Sequence, residues 1–238
     1  MEKLTGGEVI ARMLKNEGVE KVFGIVDGTY LQLNVSLRAH GIELISPRHE
    51  ACAAHMAGAY ARMTGKLGVC IASNGPGVAN VLPGVAVENG EGNRVLLITS
   101  TRRVGIGYPD RGGTFQYFNQ VGVIKPMSKW SGAAPSFERV PEMLKRAFRK
   151  SYQGRPGVVH VDIPESVING QGEAAPVSAP QSYRRVDPIT PSRTQVEKAA
   201  ELLVDARMPL IHAGSGVIHS AAYAELRRVA ERLRAPVC

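Results

Sequence analysis

Gly68-Val69-Cys70-Ile71-Ala72-Ser73-Asn74-Gly75-Pro76-Gly77 decides how the rest of the chain is read. Val69 to Ala72 is continuously apolar, without the in–out alternation of a half-solvated strand. Gly68 to Ser73 therefore reads as a strand covered on both faces, the mark of a parallel sheet. Asn74-Gly75-Pro76-Gly77 ends that strand, and a helix opens on the Gly-Pro-Gly turn and runs to about Val87.

Working outward, the same unit recurs. Glu8 to Asn16 carries Val9, Ile10, Met13 and Leu14 at helical spacing and stops at Gly18. Val22 to Val26 is a short buried strand ended by Asp27-Gly28, and Tyr30 to Ala39 a helix. Ile42 to Ser46 is a strand, Glu50 to Met63 an Ala-rich helix ended by Thr64-Gly65, and Arg94 to Thr99 another strand. Strands alternating with crossovers of helical length predict an α/β fold, a doubly wound and mostly parallel sheet with helices on both sides. The strand C-termini then share one edge, where ligands bind. The loops on that edge are Asp27-Gly28, Pro47-Arg48-His49 and Asn74-Gly75-Pro76-Gly77.

Further on, Arg102 to Asn119 is loop-like and glycine-rich, Val140 to Ser151 an amphipathic helix, and Gly157 to Ile163 a strand ended by Pro164. Residues 170–191, rich in Pro, Ser, Gly and Ala, have linker composition. A new unit follows: helix Thr194 to Ala206, strand Pro209 to Ala213, turn Gly214-Ser215-Gly216, helix Ala221 to Leu233, and the first residues of another strand at Ala235 to Cys238. The expected organisation is one domain over 1–172, a linker over 173–191, and an incomplete second α/β domain over 192–238.

Composition excludes several classes. The 238 residues are 44% hydrophobic and 21% charged, as in ordinary globular proteins. No apolar run approaches the roughly 20 residues that span a bilayer, and Met1 to Gly7 has no signal-peptide pattern. Cys52, Cys70 and Cys238 are scattered, which indicates neither a disulfide framework nor a zinc site. A cytoplasmic protein is expected. The net charge of +8 is spread along the chain rather than clustered, so the basic residues read as solvated faces. Neither a nucleic-acid nor a membrane partner is expected, and an anionic ligand is compatible with the charge.

Three stretches could carry chemistry. Arg48-His49-Glu50 stands at a strand-to-helix junction, where a carboxylate is stabilised by the helix N-terminus; alone, Glu50 reads as a helix-opening residue. Asn74 to Gly77 lets backbone approach a ligand, yet it lacks the residues of a nucleotide-phosphate loop. Thr114-Phe115-Gln116 lies in the glycine-rich loop, followed by Lys129-Trp130. The small residues of Ala53 to Ala61 suggest close helix–helix packing, possible across a subunit interface, and His55 among them reads as a packed core histidine.

In combination these stretches are more specific. Pro47-Arg48-His49-Glu50, Ala53-Ala54-His55-Met56-Ala57, Ala59-Tyr60-Ala61-Arg62, Thr64-Gly65 and Asn74-Gly75-Pro76-Gly77 with Asn80 resemble the thiamine-diphosphate-dependent acetolactate synthase family. Phe115-Gln116, Lys129-Trp130 and Gly154-Arg155-Pro156-Gly157 leading into Asp162-Ile163-Pro164 fit the same pattern, over essentially the whole chain. Benzaldehyde-lyase-like, sulfoacetaldehyde-acetyltransferase-like and 2-hydroxyacyl-CoA-lyase-like members share these features.

The resemblance implies a flavodoxin-like pyrimidine-binding domain followed by the opening of a central domain. It implies that Glu50 hydrogen-bonds N1′ of the thiamine aminopyrimidine and so promotes loss of the thiazolium C2 proton. Gly75, Pro76, Gly77 and Asn80 would surround the ring. Gln116 would face the reacting carbon, and Val26, Asp27, Gly28, His49 and Phe115 would lie on the side of a 2-oxo or 2-hydroxy carbonyl substrate. In the family, thiamine diphosphate and Mg²⁺ are held by a Gly-Asp-Gly…Asn motif of a third domain. That motif does not occur in these residues, so a missing C-terminal part or a separate subunit is expected to supply the domain. No metal ligand is expected in this chain, while FAD or a CoA/ADP group stays open. A homodimer or homotetramer through the pyrimidine domain is implied; the alternative is a non-catalytic module for assembly or regulation. Three departures from the family pattern stand out: Val26-Asp27-Gly28, Glu91-Gly92-Asn93-Arg94, and Tyr117 where an acidic residue is usual.

Overall fold

The computed structural model describes residues 2–106 and 115–238. Thr114 and the loop glycines Gly107, Gly112 and Gly113 lie outside the described residues. The chain divides into two compact units, Met1–Val186 and Asp187–Cys238.

The first unit runs β1 (Glu2–Thr5), α1 (Gly6–Asn16), β2 (Lys21–Gly24), a 3₁₀ turn (Gly28–Tyr30), α2 (Leu31–Ala39), β3 (Glu43–Ile45), α3 (Glu50–Thr64), β4 (Gly68–Ala72) and α4 (Pro76–Gly90). It continues through β5 (Val95–Thr101), α5 (Gln120–Ile124), β6 (Trp130–Ala133), α6 (Arg139–Tyr152), β7 (Val158–Pro164), α7 (Glu165–Asn169) and β8 (Gln171–Ala174). Six strands pair in the order β3-β2-β4-β5-β7-β6, every pair parallel. The chain winds from β2 outward to β3, then crosses back to β4. The reversal between β2 and β4 opens a crevice at the strand C-termini, where such folds bind ligands.

The pleat explains why the central strands are apolar throughout. Val69, Ile71, Leu96 and Ile98 enter one core with Ile10, Leu14, Leu33, Leu37, Leu144 and Phe148 of α1, α2 and α6. Their neighbours Cys70, Ala72 and Leu97 enter the other core with Ala53, Ala57, Val81 and Val85 of α3 and α4. The second core is built from small side chains, and a Cβ on Gly84 would stand 2.6 Å from the Ala54 methyl and 2.7 Å from the Ala51 carbonyl oxygen. The small face of α3 thus packs on α4 of its own chain. His55 is not a core residue either: half-exposed, its Nδ1 lies 2.7 Å from Oε1 of the buried Glu88.

Residues 173–186 correct the linker reading. β8 pairs antiparallel with β1, from Glu2↔Ala174 to Thr5↔Gln171. Tyr183 is buried, its hydroxyl donating to Glu17 Oε1 at 2.6 Å, and Arg184 grips the same carboxylate at 2.6 Å. Composition could not show this, because one short strand and two anchoring side chains hold the segment against residues 2–17. β6 was also missed. It is a four-residue edge strand, Trp-Ser-Gly-Ala, with no apolar pattern to mark it.

The second unit holds α8 (Arg193–Val204), α9 (Gly216–His219) and α10 (Tyr223–Leu233). The two segments expected as strands meet in parallel at Ile211↔Val237, with Cys238 N–H donating to Ile211 at 3.0 Å. Among the described residues no helix is long and apolar enough to cross a membrane, and no group of three or more His, Cys, Asp or Glu could hold a metal ion.

Candidate functional site

Glu50 is the first residue of α3, just past the end of β3. His49 precedes it in an extended conformation and caps the helix, its Nδ1 accepting the Ala51 N–H at 3.2 Å. A carboxylate at that helix start meets unpaired N–H groups and the positive end of the dipole. Asn80, on α4, donates its amide to Glu50 Oε2 at 3.1 Å. The other oxygen borders Gly77: a Cβ added there would lie 3.4 Å from Glu50 Oε1 and 2.7 Å from Ser73 Oγ. Even one carbon at position 77 would collide with the Ser73 hydroxyl beside the carboxylate, so glycine is required there.

Gly75 is held from two sides. Its φ of 65° and ψ of −110° suit glycine alone, and a Cβ would meet Gln116 Cα at 2.7 Å and Gln116 O at 2.8 Å. Gln116 is itself left-handed at φ 63°, a conformation costing a non-glycine residue about 1–3 kcal/mol unless its surroundings enforce it. The expected pair Gly75 and Gln116 are therefore in contact, though 41 positions apart in sequence. Pro76 opens α4, where its missing N–H costs nothing. From inside, Gly75 N–H donates to Gln120 Oε1 at 3.0 Å.

Gln120 begins a buried polar network absent from the sequence reading. Its amide nitrogen donates to Ser100 O at 2.9 Å and Asp162 Oδ1 at 2.7 Å. Thr99 Oγ1 donates to the same Asp162 oxygen at 2.5 Å and lies 2.7 Å from His160 Nε2; His160 Nδ1 lies 2.7 Å from Ser131 Oγ. One tautomer satisfies every contact: Ser131 donates to Nδ1, and Nε2–H donates to Thr99. Burial pushes the Asp162 carboxyl up to about 7, against the Thr99 and Gln120 hydrogen bonds that pull it down. Burial drives the His160 imidazole down to about 3. A signal for this network existed. His160 and Asp162 interrupt an apolar strand at a spacing of two, so both face one side, where parallel register sets Asp162 beside Thr99.

Above the reversal, Tyr30 accepts Ser100 N–H at 2.6 Å and its hydroxyl reaches Ala72 O at 2.6 Å. Ser100 Oγ meets Thr29 Oγ1 at 2.8 Å and accepts Asn74 N–H at 3.1 Å. These contacts join the turn after β2 to the turn after β4. Asp27, part of the Val26-Asp27-Gly28 departure, accepts Thr29 N–H at 2.8 Å and caps the 3₁₀ turn that Gly28 opens. Val26 and Phe115 are 63% and 81% exposed, so neither packs against the core. The Glu91-Gly92-Asn93-Arg94 departure also has local partners. Asn93 donates to Glu88 Oε2 at 2.5 Å, Gly92 takes φ 72°, and the Arg94 guanidinium stacks 4.4 Å from the Tyr152 ring.

Comparison with known proteins gives the geometry a family. Residues 4–123 match the thiamine pyrophosphate enzyme N-terminal TPP binding domain, and residues 196–238 match the central domain of the same enzymes. The chain is 34% identical over 241 residues to the probable acetolactate synthase large subunit of Methanocaldococcus jannaschii, covering 99% of this chain and 40% of that protein. It is 34% identical over 242 residues to acetolactate synthase isozyme 3 large subunit of Escherichia coli, covering 100% of this chain and 41% of that one. The acetolactate synthase of Mycobacterium bovis is 34% identical over 241 residues, with 38% of its length covered. The chain thus spans about two-fifths of the length of these relatives. With its parallel sheet, its crevice and both domain matches in sequence order, the chain belongs to the thiamine pyrophosphate enzyme family, with acetolactate synthase large subunits among its homologues.

Proposed function

We propose that this chain is the N-terminal part of a thiamine-diphosphate-dependent enzyme that makes or breaks a carbon–carbon bond beside a carbonyl, as a carboligase, lyase or 2-oxo-acid decarboxylase. The observation that carries this reading is the Glu50 carboxylate, fixed by Asn80 at a helix start beside a position 77 that admits no side chain. A flat, hydrogen-bonding ring fits such a place. The Gly75 turn, which tolerates no side chain, lets the Gln116 backbone approach closely.

Glu50 would hold the proton shared with ring N1′, and Asn80 would orient the carboxylate for that contact. Gly75, Pro76 and Gly77 would form the wall. Gln116, in contact with Gly75, would reach the reacting carbonyl. Val26, Gly28 and the exposed Phe115, together with Asp27 and His49 at the same sheet edge, would border the substrate, the apolar members excluding water. Bound thiamine diphosphate would supply the electron sink for chemistry next to the carbonyl. Its diphosphate and Mg²⁺ would be held by a further diphosphate-binding region, in a homodimer or homotetramer of a cytoplasmic enzyme. The names of the relatives favour acetolactate synthase-like carboligation of 2-oxo acids.

The test is cofactor C2–H exchange, followed by NMR in the full-length protein with Mg²⁺ and thiamine diphosphate. Removing a proton-holding group of this kind costs about a hundredfold or more in rate. Glu50→Gln is expected to slow exchange by that factor. Equal rates in the two proteins would refute the role of Glu50 and favour an assembly module instead.

A further inference from the structure

We propose that Gln120 is a positioning residue of this site: it holds the Gly75 turn in the shape that receives the aminopyrimidine ring. The inference rests on the reading of Glu50 and its neighbours given above. Gln120 bonds to Gly75, Ser100 and Asp162 rather than to Glu50; its effect passes through backbone.

The argument begins with a single N–H. Gly75 N–H points inward to Gln120 Oε1 at 3.0 Å. In a trans peptide the N–H and the preceding carbonyl point in opposite directions, so this bond turns the Asn74 carbonyl away from Gln120. The next residue is Pro76, which has no N–H, and Gly77 follows beside Glu50. The Gly75 N–H is therefore the turn's side-chain tether that comes just before Gly77. The Gly75 carbonyl is already held by Ala79 N–H at 3.0 Å, so Gln120 is what fixes the nitrogen side of a glycine whose φ of 65° lies in one of its several wide basins.

Gln120 can serve as a tether because its own amide cannot flip. Its nitrogen is committed to Ser100 O and Asp162 Oδ1, both acceptors, so Oε1 must face Gly75. Asp162 is in turn fixed by Thr99, and Thr99 meets His160, which is held by Ser131. Gln120, Asp162, His160, Thr99 and Ser100 are all buried. The chain of contacts spans β5, β7 and β6, so the turn after β4 is referenced to three other strands of the sheet. Gln116 presses on Gly75 as well, and only three residues separate it from Gln120. A shift in Gln120 would therefore move the tether and the Gln116 contact together.

The experiment compares wild type, Gln120→Leu and Gln120→Glu in the full-length protein. Gln120→Glu retains an acceptor for Gly75 N–H while losing both donors. Three readouts are taken: residue-resolved amide exchange, affinity for thiamine diphosphate with Mg²⁺, and the urea midpoint. In Gln120→Leu, Gly75 exchange is expected to rise about tenfold or more, as befits loss of a buried partner, while Cys70 and Leu97 in the adjacent strands keep their protection. Cofactor affinity should fall by a similar factor, with Gln120→Glu lying between. Retained protection at Gly75, or a released Gly75 with unchanged affinity, would overturn the proposal. So would exchange rising uniformly across β4 and β5, which would mark Gln120 as merely structural. Wild-type protein that bound no thiamine diphosphate would sink the functional reading and the ring as the turn's ligand. The Gly75 exchange would still judge whether Gln120 sets the turn.

Discussion

Replacing Asp162 by asparagine should reshape the pH dependence of stability in a calculable way. Burial holds the Asp162 carboxyl at about 7, whereas an unfolded aspartate titrates at its ordinary 3.8. The folded value is raised, so the stability this group contributes is fully present below pH 3.8. It is lost as pH rises from there to about 7. The loss is about 1.4 kcal/mol per unit, hence on the order of 4 kcal/mol across the window. Asparagine carries no such titration, and its oxygen can still accept from Thr99 and Gln120. The difference in unfolding free energy, variant minus wild type, should therefore climb by about 1.4 kcal/mol per unit between pH 4 and 7 and then level off. Titrating groups remote from Asp162 cancel in that difference. The assay is urea unfolding at half-unit pH steps followed by fluorescence of Trp130, the single tryptophan, which stands in β6 and so reports the first unit alone. A difference that is flat with pH, or that falls as pH rises, would refute the claim that Asp162 is buried as a neutral acid.

His160→Gln should give the mirror image. The imidazole is depressed to about 3 from 6.5, so its stabilising contribution is present above pH 6.5 and lost as pH falls toward 3. The same unfolding series should show variant minus wild type growing by about 1.4 kcal/mol per unit on acidification. Tyr30→Phe strands Ser100 N–H and removes the hydroxyl from the Ala72 and Ile98 carbonyls, and should lower stability by about 1–3 kcal/mol in urea melts; an unchanged midpoint would mean water replaces the hydroxyl. Arg184→Leu leaves Glu17, whose side chain is 0% exposed, with only the Tyr183 hydroxyl. A loss of about 3 kcal/mol or more is expected, and a loss below about 1 kcal/mol would restore residues 183–184 to a linker.

The sheet was legible because its strands are short apolar runs between glycine turns, a local signal. Val69 to Ala72 needs no knowledge of its partners to read as buried. Gly75 and Gly77 were legible for the same reason, since a turn that forbids side chains advertises itself in sequence. Gln116 was found through resemblance, and its contact with Gly75 is what the three-dimensional arrangement adds. Gln120, Thr99 and Asp162 were not found. Each is a modest polar residue in its own segment, and their meaning comes from convergence across β5, β7 and α5. β8 and Tyr183 failed similarly: their partners are more than 160 residues away, and Pro- and Ser-rich composition pointed to solvent. His49 and Asp27 stand out in the sequence as substrate-side residues, and the structure adds their contacts with backbone N–H donors at the starts of helical turns.

The pairing of β1 with β8 has a consequence for synthesis. A ribosome delivers Glu2 to Thr5 first and Gln171 to Ala174 almost last in the first unit. At about 5–20 residues per second, the N-terminal strand waits roughly ten to thirty seconds for its partner. Throughout that interval Glu17 has neither Tyr183 nor Arg184, and the start of α1 hangs beside an unpaired edge. The emerging chain is therefore an open-ended intermediate in which β2, β3, β4 and β5 can assemble around their own crossovers, while closure of the unit is a late event set by translation. Slowing or pausing the ribosome before residue 170 would prolong the exposure of that edge, and release beyond residue 186 would end it.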